Sequence, residues 1–196
     1  MRARPRRLYL GLVHHPVYNK NGDTIASAIT TLDLHDLARL SRTYGLRRFF
    51  VITPLEDQQE LARRVIRHWT EGYGARYNQD RKEAVEQIDV VPDIEAAVDA
   101  VHRAEGEAPG LIATDAAPGD GTLGFDEARE ILGRDRPALL LLGTAWGLHR
   151  EVLEGADHVL EPIRGTGRYN HLSVRAAGAI ILDRLTPGAF APGETS

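Results

Sequence analysis

Two glycines end the most apolar stretch of the chain and could expose backbone groups to a ligand. The stretch covers 138–142, and Gly143-Thr-Ala-Trp-Gly147 follows it. A short uncharged run between Pro137 and Gly143 predicts a central strand of a parallel sheet. Because ligands bind beyond the carboxyl ends of such strands, we expect Gly143 and Thr144 at a binding site. The glycine spacing also fits a nucleophile elbow, but Ala145 stands where the serine would be, which excludes an acyl-enzyme.

A second loop, 161–171, combines accessible backbone with hydrogen-bond donors. Pro162 restricts the chain, whereas Gly165 and Gly167 allow a ligand to approach the main chain. The same loop carries Arg164, Arg168, Tyr169, Asn170 and His171. Loops 14–22, 143–147 and 161–171 each follow a predicted strand, so we expect them to converge. A solvated basic loop before a helix is the alternative for 161–171.

Other motifs lack the context that their chemistry requires. Gly119–Gly124 matches the dinucleotide pattern G-x-G-x-x-G, but Gly143-Thr144 occupies the place where an acidic residue is expected about 20 positions later. We therefore favour a glycine-rich surface loop. His35-Asp36 resembles a metal phosphohydrolase dipeptide, but it lies on an amphipathic helix without matching ligands, and no histidine pair has metal-binding spacing. We predict no metal, and the P-loop pattern is also absent.

The composition is that of a globular chain without covalent cross-links. The 196 residues include no cysteine, which excludes disulfides and a cysteine nucleophile and fits a reducing cytosol. No window approaches the roughly 20 apolar residues of a membrane span. We therefore expect a cytoplasmic protein without a membrane partner.

The net charge of −4 provides no overall attraction for nucleic acid, so any such contact must come from local patches. Lys20 and Lys82 are the only lysines among 24 basic residues. The others are arginines, whose planar guanidinium suits phosphate contacts and base stacking. A biased genomic composition would explain the same preference.

Hydrophobic periodicity predicts an alternation of strands and helices. Strands are predicted at 8–13, 48–53, 88–91, 111–114, 138–142 and 157–160. Helices are predicted at 31–44, 55–69, 93–105, 125–132, 149–154 and 172–185, while 14–23 and 70–86 are expected to be loops. This alternation favours a single α/β domain with a mostly parallel sheet of about six strands and helices on both faces. We place the domain at 8–185, between a basic arm (1–7) and a loose tail (186–196).

Three segments in the C-terminal half carry a family resemblance. They are 141–148, then 160–165, and finally Tyr169-Asn-His-Leu-Ser173 with the helix to Leu185. Together they resemble the signature segments of the SPOUT class, the trefoil-knotted S-adenosylmethionine-dependent RNA methyltransferases. Segments 15–22 and 31–39 look like the opening of a small branch of that class. The resemblance covers about half of the chain.

The resemblance implies a C-terminal knot, a homodimer, S-adenosylmethionine as cofactor and RNA as substrate. The implied cofactor contacts are Leu142, Gly143, Thr144, Gly147, Leu160, Ile163, Gly165 and Leu172. We expect RNA contacts at Arg164, Arg168, Tyr169, Tyr18 and Lys20. Catalytic roles are assigned to His171, Asn170, His15 and Arg175, with His171 or His15 as the general base. Arg175 could instead form an ion pair at the dimer interface.

One departure from the class bears on the target of methylation. The ribose-methylating branch usually has Asn two positions before the Ser of its third segment, whereas His171 holds that position here and Asn170 precedes it. We therefore expect methyl transfer to a base of tRNA or rRNA. Two alternatives remain: a non-catalytic RNA-binding module of the same fold, and a nucleotide-dependent oxidoreductase that uses Gly119–Gly124.

Overall fold

The computed structural model describes residues 7–117, 119, 121–167 and 169–186 and contains the predicted parallel sheet. Its strands are Leu8–Val13 (β1), Val17–Tyr18 (β2), Thr24–Ile25 (β3), Phe49–Ile52 (β4), Ile88–Val91 (β5), Gly110–Thr114 (β6), Ala138–Gly143 (β7) and His158–Leu160 (β8). Its helices are Thr31–Thr43 (α1), Glu56–Thr70 (α2), Tyr73–Tyr77 (α3), Gln79–Val85 (α4), Ile94–Glu105 (α5), Phe125–Leu132 (α6), Arg150–Gly155 (α7) and Val174–Leu185 (α8).

The strand order of the six-stranded sheet is β5-β4-β1-β7-β6-β8, and every neighbouring pair is parallel. Along the chain, β4 and then β5 are added on one side of β1. The later strands β6, β7 and β8 lie on the other side of β1, and β7 is placed between β1 and β6. Val13 pairs with Gly143, so the ends of β1 and β7 are adjacent. Since all strands are parallel, the loops that follow them leave from one edge of the sheet.

Both faces of the sheet are covered, as predicted. Leu140 and Leu142 of β7 belong to a core with residues of α1, α2, α4, α6 and α8. Leu139 and Leu141 belong to a second core with residues of α5 and α7. This double burial explains why the strand sequence is apolar throughout rather than alternating.

Side-chain caps fix where the helices that border the site begin. Thr30 caps α1 by accepting a hydrogen bond from the backbone N–H of Asp33 at 3.1 Å. Ser173 caps α8 in the same way, accepting from Ala176 N at 3.3 Å. The last helix therefore begins at Val174, two residues after the predicted Leu172, because the cap residue itself has extended backbone.

The two segments expected to be loops contain regular structure. Residues 70–86 form α3 and α4, since Gly74 lets α3 pack closely on Trp69 and Asn78 caps α4 through Arg81 N. A Cβ at Gly74 would lie 2.6 Å from Trp69 Cε3, so this glycine serves helix packing. The polar loop after β1 contains the antiparallel hairpin β2–β3.

The domain extends slightly beyond its predicted limits. Arg7, assigned to the basic arm, forms ion pairs with Glu105 at 2.6 Å and Glu107 at 2.7 Å. Thr186, assigned to the tail, is buried and donates a hydrogen bond to Leu182 O at 2.7 Å. The rest of the arm (1–6) and of the tail (187–196) lies outside the described residues.

The last helix returns from the sheet edge to its centre. From β8, at the edge, the chain runs back so that α8 packs against α1, α6 and β7. This return is the crossover in which the resemblance places the knot, and the knot itself remains a prediction. Within the described ranges, no helix has the length and apolar character needed to cross a bilayer.

Candidate active site

The loops at the carboxyl edge of the sheet form two adjoining groups. Loop 14–22 contacts the glycine turn 143–147: Tyr18 N donates to Gly147 O at 3.0 Å, and Trp146 N donates to Tyr18 O at 3.0 Å. Loop 161–171 instead contacts the loop after β6, where Asn170 Nδ2 donates to Ala116 O at 3.4 Å. Of the three loops expected to converge, 14–22 and 143–147 are in contact, whereas the contact described for 161–171 is with the loop after β6.

Gly143 and Gly147 are required by the turn itself. A Cβ at Gly143 would lie 2.7 Å from the backbone nitrogen of Leu148 and 3.0 Å from the carbonyl carbon of Gly147. Gly147 has a φ of 101°, and Ala145 between them has a φ of 51°. These glycines were expected to allow a ligand to approach, but close packing at Gly143 and left-handed backbone at Gly147 already require them.

Three side chains connect the end of β1, the hairpin and the glycine turn. His14 Nδ1 lies 2.9 Å from Ser27 Oγ, which lies 2.6 Å from Thr144 Oγ1. Thr144 Oγ1 donates to Val13 O at 3.0 Å. Because the Thr144 hydroxyl has a single proton, Ser27 must donate to Thr144 and accept from His14 Nδ1–H. The direction of this chain fixes the tautomer of His14, so that its Nε2 is an acceptor.

His14 is fully buried, and its Nε2 has no hydrogen-bond partner among the described residues. Burial lowers the pKa of His14 to about 4, partly opposed by the nearby charge of Asp33 and by the contact with Ser27. The ring is therefore neutral near pH 7 and holds the loops in place. Neither His14 nor Ser27 was predicted from the sequence, since their partner Thr144 lies more than a hundred residues away along the chain.

An open cavity of about 250 Å³ lies at the carboxyl ends of β6 and β8. Its lining consists of Ala116, Pro162, Arg164, Gly165, Gly167 and Asn170. Asn170 also joins the two loops of the lining, because its Oδ1 accepts from Gly165 N at 3.3 Å while its amide donates to Ala116 O. Arg164 is exposed and forms no ion pair with any described residue.

The other residues assigned to the cofactor differ in accessibility. Leu142 and Leu160 are each 1% exposed, so only their backbone could reach a ligand, as the resemblance implies. Ile163 is half-buried against the core, and Leu172 is 47% exposed. Thr144 is engaged in the hydrogen-bond chain from His14. Of the assigned set, Gly165 alone lines the cavity.

The residues given catalytic or RNA roles are dispersed around this edge. His171 is exposed, with its ring 5.4 Å from that of Tyr169. His15 is half-buried, Lys20 is exposed, and the ring of Tyr18 packs on His149 at 4.9 Å. Arg168 lies outside the described residues.

Arg175 is held within its own chain. Its guanidinium forms ion pairs with Asp33 at 3.1 Å and Asp36 at 3.2 Å, which tie α8 to α1. These ion pairs give Arg175 two partners within its own chain, and its assigned roles in catalysis or at a dimer interface stay predictions.

The dinucleotide interpretation of Gly119–Gly124 does not fit the structure. The carboxylate of Glu161 accepts a hydrogen bond from Phe125 N at 2.9 Å, and Glu127 accepts from Gly124 N at 3.3 Å. Both acidic groups occupy the helix N-terminus where a pyrophosphate would bind. Among the described residues, no group of three or more His, Asp or Glu side chains is arranged to hold a metal.

Comparisons with known proteins identify relatives over almost the whole chain. A tRNA (guanine-N(1)-)-methyltransferase of Nitratidesulfovibrio vulgaris is 49% identical over 185 residues, which are 94% of this chain but 43% of that protein. The chain thus spans less than half the length of this curated relative. A protein of Aquifex aeolicus is 36% identical over 179 residues, covering 91% of this chain and 87% of the relative.

A solved structure supports the fold, and a family model identifies the family. The SpoU methyltransferase AviRb from Streptomyces viridochromogenes superposes with a TM-score of 0.60 at 17% identity, over 94% of this chain and 60% of that chain. At this identity the similarity supports the fold. The family model described as SAM-dependent RNA methyltransferase matches residues 7–187. The chain therefore belongs to the family of S-adenosylmethionine-dependent RNA methyltransferases.

Proposed function

We propose that this protein transfers the methyl group of S-adenosylmethionine to a base of an RNA, and that the cofactor occupies the cavity at the ends of β6 and β8. The observation that supports this best is the cavity itself, which lies at the carboxyl edge of a parallel sheet, where ligands of such folds bind. Membership of the family supplies the class of cofactor and substrate.

The chemistry of the cavity suits this cofactor. Gly165 and Gly167 are exposed and have no side chains, although the N–H of Gly165 is taken by Asn170; a Cβ at Gly167 would meet nothing within 4 Å. Such backbone can read the polar edge of an adenine, while Pro162 supplies an apolar wall. The guanidinium of Arg164 is available for the carboxylate of the methionine moiety, a pairing that differs from its expected RNA contact.

The remaining assigned residues, Leu142, Gly143, Thr144, Gly147, Leu160, Ile163 and Leu172, are proposed to shape the cavity from the side of β7 and α8. Leu142 and Leu160 would act through their backbone, because their side chains are buried in the core. The hydrogen-bond chain from His14 through Ser27 keeps Thr144 and its turn in place.

Catalysis by this chain consists mainly of positioning. When bound, the cofactor supplies a methyl group on a sulfonium, which already carries a good leaving group. The chain must then hold the acceptor atom in line with that methyl. Asn170 fixes the geometry of loop 161–171, and the next residue, His171, is exposed at the same edge. We assign His171, with His15 as the second candidate, to remove a proton from the acceptor atom where it carries one.

RNA would contact the exposed side chains around this edge. Tyr169 is 80% exposed and Lys20 is exposed on the hairpin, and we assign both, with Arg168 and Tyr18, to substrate binding. The relative from N. vulgaris is named for guanine N1 of tRNA, but this chain spans only 43% of it. We therefore propose tRNA as the first substrate to test. We further propose a cytoplasmic homodimer in which α8 contributes to the contact with the second copy.

The test combines cofactor titration with methyl transfer. Calorimetry should show binding of S-adenosylmethionine, and labelled methyl should be incorporated into tRNA or rRNA. Nucleoside analysis then separates a methylated base from a 2′-O-methylated ribose. A protein that binds RNA but has no affinity for S-adenosylmethionine would support the non-catalytic module. A protein that binds a dinucleotide instead would support the oxidoreductase. Either result would overturn the proposal.

Asn170→Ala tests the assignment of the cavity. It removes the hydrogen bond to Ala116 O, which joins loop 161–171 to the loop after β6, and the bond from Gly165 N within loop 161–171. At about 1 kcal/mol for each bond we expect roughly 30-fold weaker cofactor binding. Asn21→Ala, on the exposed tip of the hairpin, is the matched control. Equal affinities for both variants would place the cofactor elsewhere.

A further inference from the structure

Trp146 is exposed beside the candidate site. Its side chain is 62% exposed, although tryptophan is usually well buried in folded proteins. The other tryptophan, Trp69, has ring contacts with His35 and His68 and lies under the guanidinium of Arg81. Trp146 has no ring contact with any described residue. Its indole is therefore available to a partner that is not part of this chain.

The backbone around Trp146 is held in an unusual conformation. Ala145 has a φ of 51° and is the only non-glycine residue with positive φ among those described. Gly147 follows with a φ of 101°. Left-handed backbone at a residue with a side chain costs about 1 kcal/mol or more, so such residues persist where the surroundings enforce them.

Hydrogen bonds from the hairpin enforce this conformation. Trp146 N donates to Tyr18 O, and Tyr18 N donates to Gly147 O, both at 3.0 Å. Gly147 N closes the turn by donating to Thr144 O at 3.0 Å. Because the turn is held on both sides, the backbone that carries the indole is already fixed, and only the side chain must be ordered when a ligand packs on it.

The surroundings of Trp146 suit a nucleic acid. The turn follows β7, at the same edge of the sheet as the cavity. Lys20, on the contacting hairpin, is exposed and forms no ion pair with a described residue. The one acidic side chain of that hairpin, Asp23, accepts a hydrogen bond from Asn19 Nδ2 at 3.0 Å. An exposed aromatic face and an unpaired cation on two contacting loops are the combination that binds unstacked bases.

We propose that Trp146 is a stacking platform for an unpaired nucleobase of the RNA substrate. The proposal rests on the proposed function and adds a binding residue that the glycine motif alone does not indicate. The indole packs face to face on the base while Lys20 meets an adjacent phosphate. Stacking of this kind tolerates any base identity, so Trp146 contributes affinity and placement rather than sequence selection.

Three variants of the full chain test this platform. We expect Trp146→Ala to weaken binding of tRNA and of a short single-stranded oligonucleotide about 5- to 150-fold, the range of one stacked base, and Trp146→Phe to retain part of the affinity. Tyr77→Ala is the matched control, since Tyr77 is 77% exposed on α3, which packs on α2 and α4. Its RNA affinity should equal that of the wild type. Cofactor affinity should be unchanged in all three variants.

Tryptophan fluorescence gives a readout that a structural role of Trp146 would not change. The chain has two tryptophans, and Trp146→Phe leaves Trp69 alone. The oligonucleotide should quench the emission of the wild type, but that of Trp146→Phe much less, and an oligonucleotide of abasic sites should quench neither.

Distinct results separate failure of this inference from failure of the proposed function. Undiminished RNA affinity and methyl transfer in Trp146→Ala would overturn the platform and leave the function intact. A wild type that binds cofactor but no RNA would overturn both. A change in oligomeric state with unchanged RNA affinity would assign the exposed indole to a contact between two copies, and would also overturn the platform.

Discussion

The buried ring of His14 makes the fold sensitive to acid. Burial lowers the pKa of His14 to about 4, compared with 6.5 for an unperturbed histidine. Between these pH values the unfolded chain binds a proton that the folded chain does not bind. The free energy of unfolding therefore falls as the pH drops from about 6.5 to about 4, and the contribution is constant at lower pH.

The full effect follows from the difference between the two pKa values. It corresponds to about 3 kcal/mol, a large fraction of the stability of an ordinary domain. The structural reason is the position of Nε2. Protonation would add an N–H at an atom that is buried without a partner among the described residues, while the Nδ1–H bond to Ser27 would remain.

His14→Asn removes the titration with little change in shape. The amide of asparagine can still donate to Ser27 Oγ, but it has no proton to gain in this pH range. Urea unfolding at a series of pH values gives the free energy of unfolding of each protein. Between pH 8 and pH 4 the wild type should lose about 3 kcal/mol more of this free energy than His14→Asn. Carboxylates that titrate in the same range are present in both proteins, so their contribution cancels in the difference between the two free energies of unfolding.

His102→Asn is the matched control, since His102 is exposed on α5. Its curve should stay parallel to that of the wild type. If His14→Asn also runs parallel to the wild type across this range, then His14 is not held neutral by burial, and the reasoning about its tautomer and its hydrogen-bond chain is refuted.

Two further predictions concern the packing that supports the site. Gly178→Val should lower the free energy of unfolding in urea by about 1–3 kcal/mol, because even a Cβ there would lie 3.0 Å from Leu37 and 3.2 Å from Leu142. Ala179→Val is the control. If Gly178→Val were as stable as the wild type, α8 would have shifted without cost. Glu105 accepts hydrogen bonds of 2.6 Å from Tyr9 and from Arg7, and these bonds hold its pKa below the usual range. Glu105→Gln should therefore lower the thermal midpoint by several degrees at pH 7. That difference should shrink as the pH falls through the lowered pKa of Glu105, and a constant difference would contradict the assignment.

Local sequence patterns predicted most of the elements. The limits of β1 at Leu8 and Val13, and those of α6 at Phe125 and Leu132, agree with the structure because apolar runs and glycines delimit them in the sequence itself. The segment 70–86 was missed for a different reason. Gly74, which interrupts helices in isolation, is needed there for close packing on Trp69, and that contact cannot be read from a local pattern.

The lining of the candidate cavity was predicted less completely than the fold. The loop with Arg164, Gly165 and Asn170 was identified from its residue types, and these three residues line the cavity. Ala116 was not predicted to line the cavity, because it meets loop 161–171 only through the pairing of β6 with β8. Trp146 was noted only as part of the glycine turn, because exposure is a property of the folded chain.

The neighbours at the centre of the sheet come from distant parts of the chain, since the hydrogen bond from Thr144 to Val13 spans 131 positions. Closure of so large a loop carries a high entropic cost, so this topology folds slowly compared with domains built from local contacts. During synthesis the first strand lacks one of its two flanking strands until β7 has left the ribosome. Until then one side of β1 is an unpaired edge of an apolar strand, the kind of surface through which incomplete sheets aggregate.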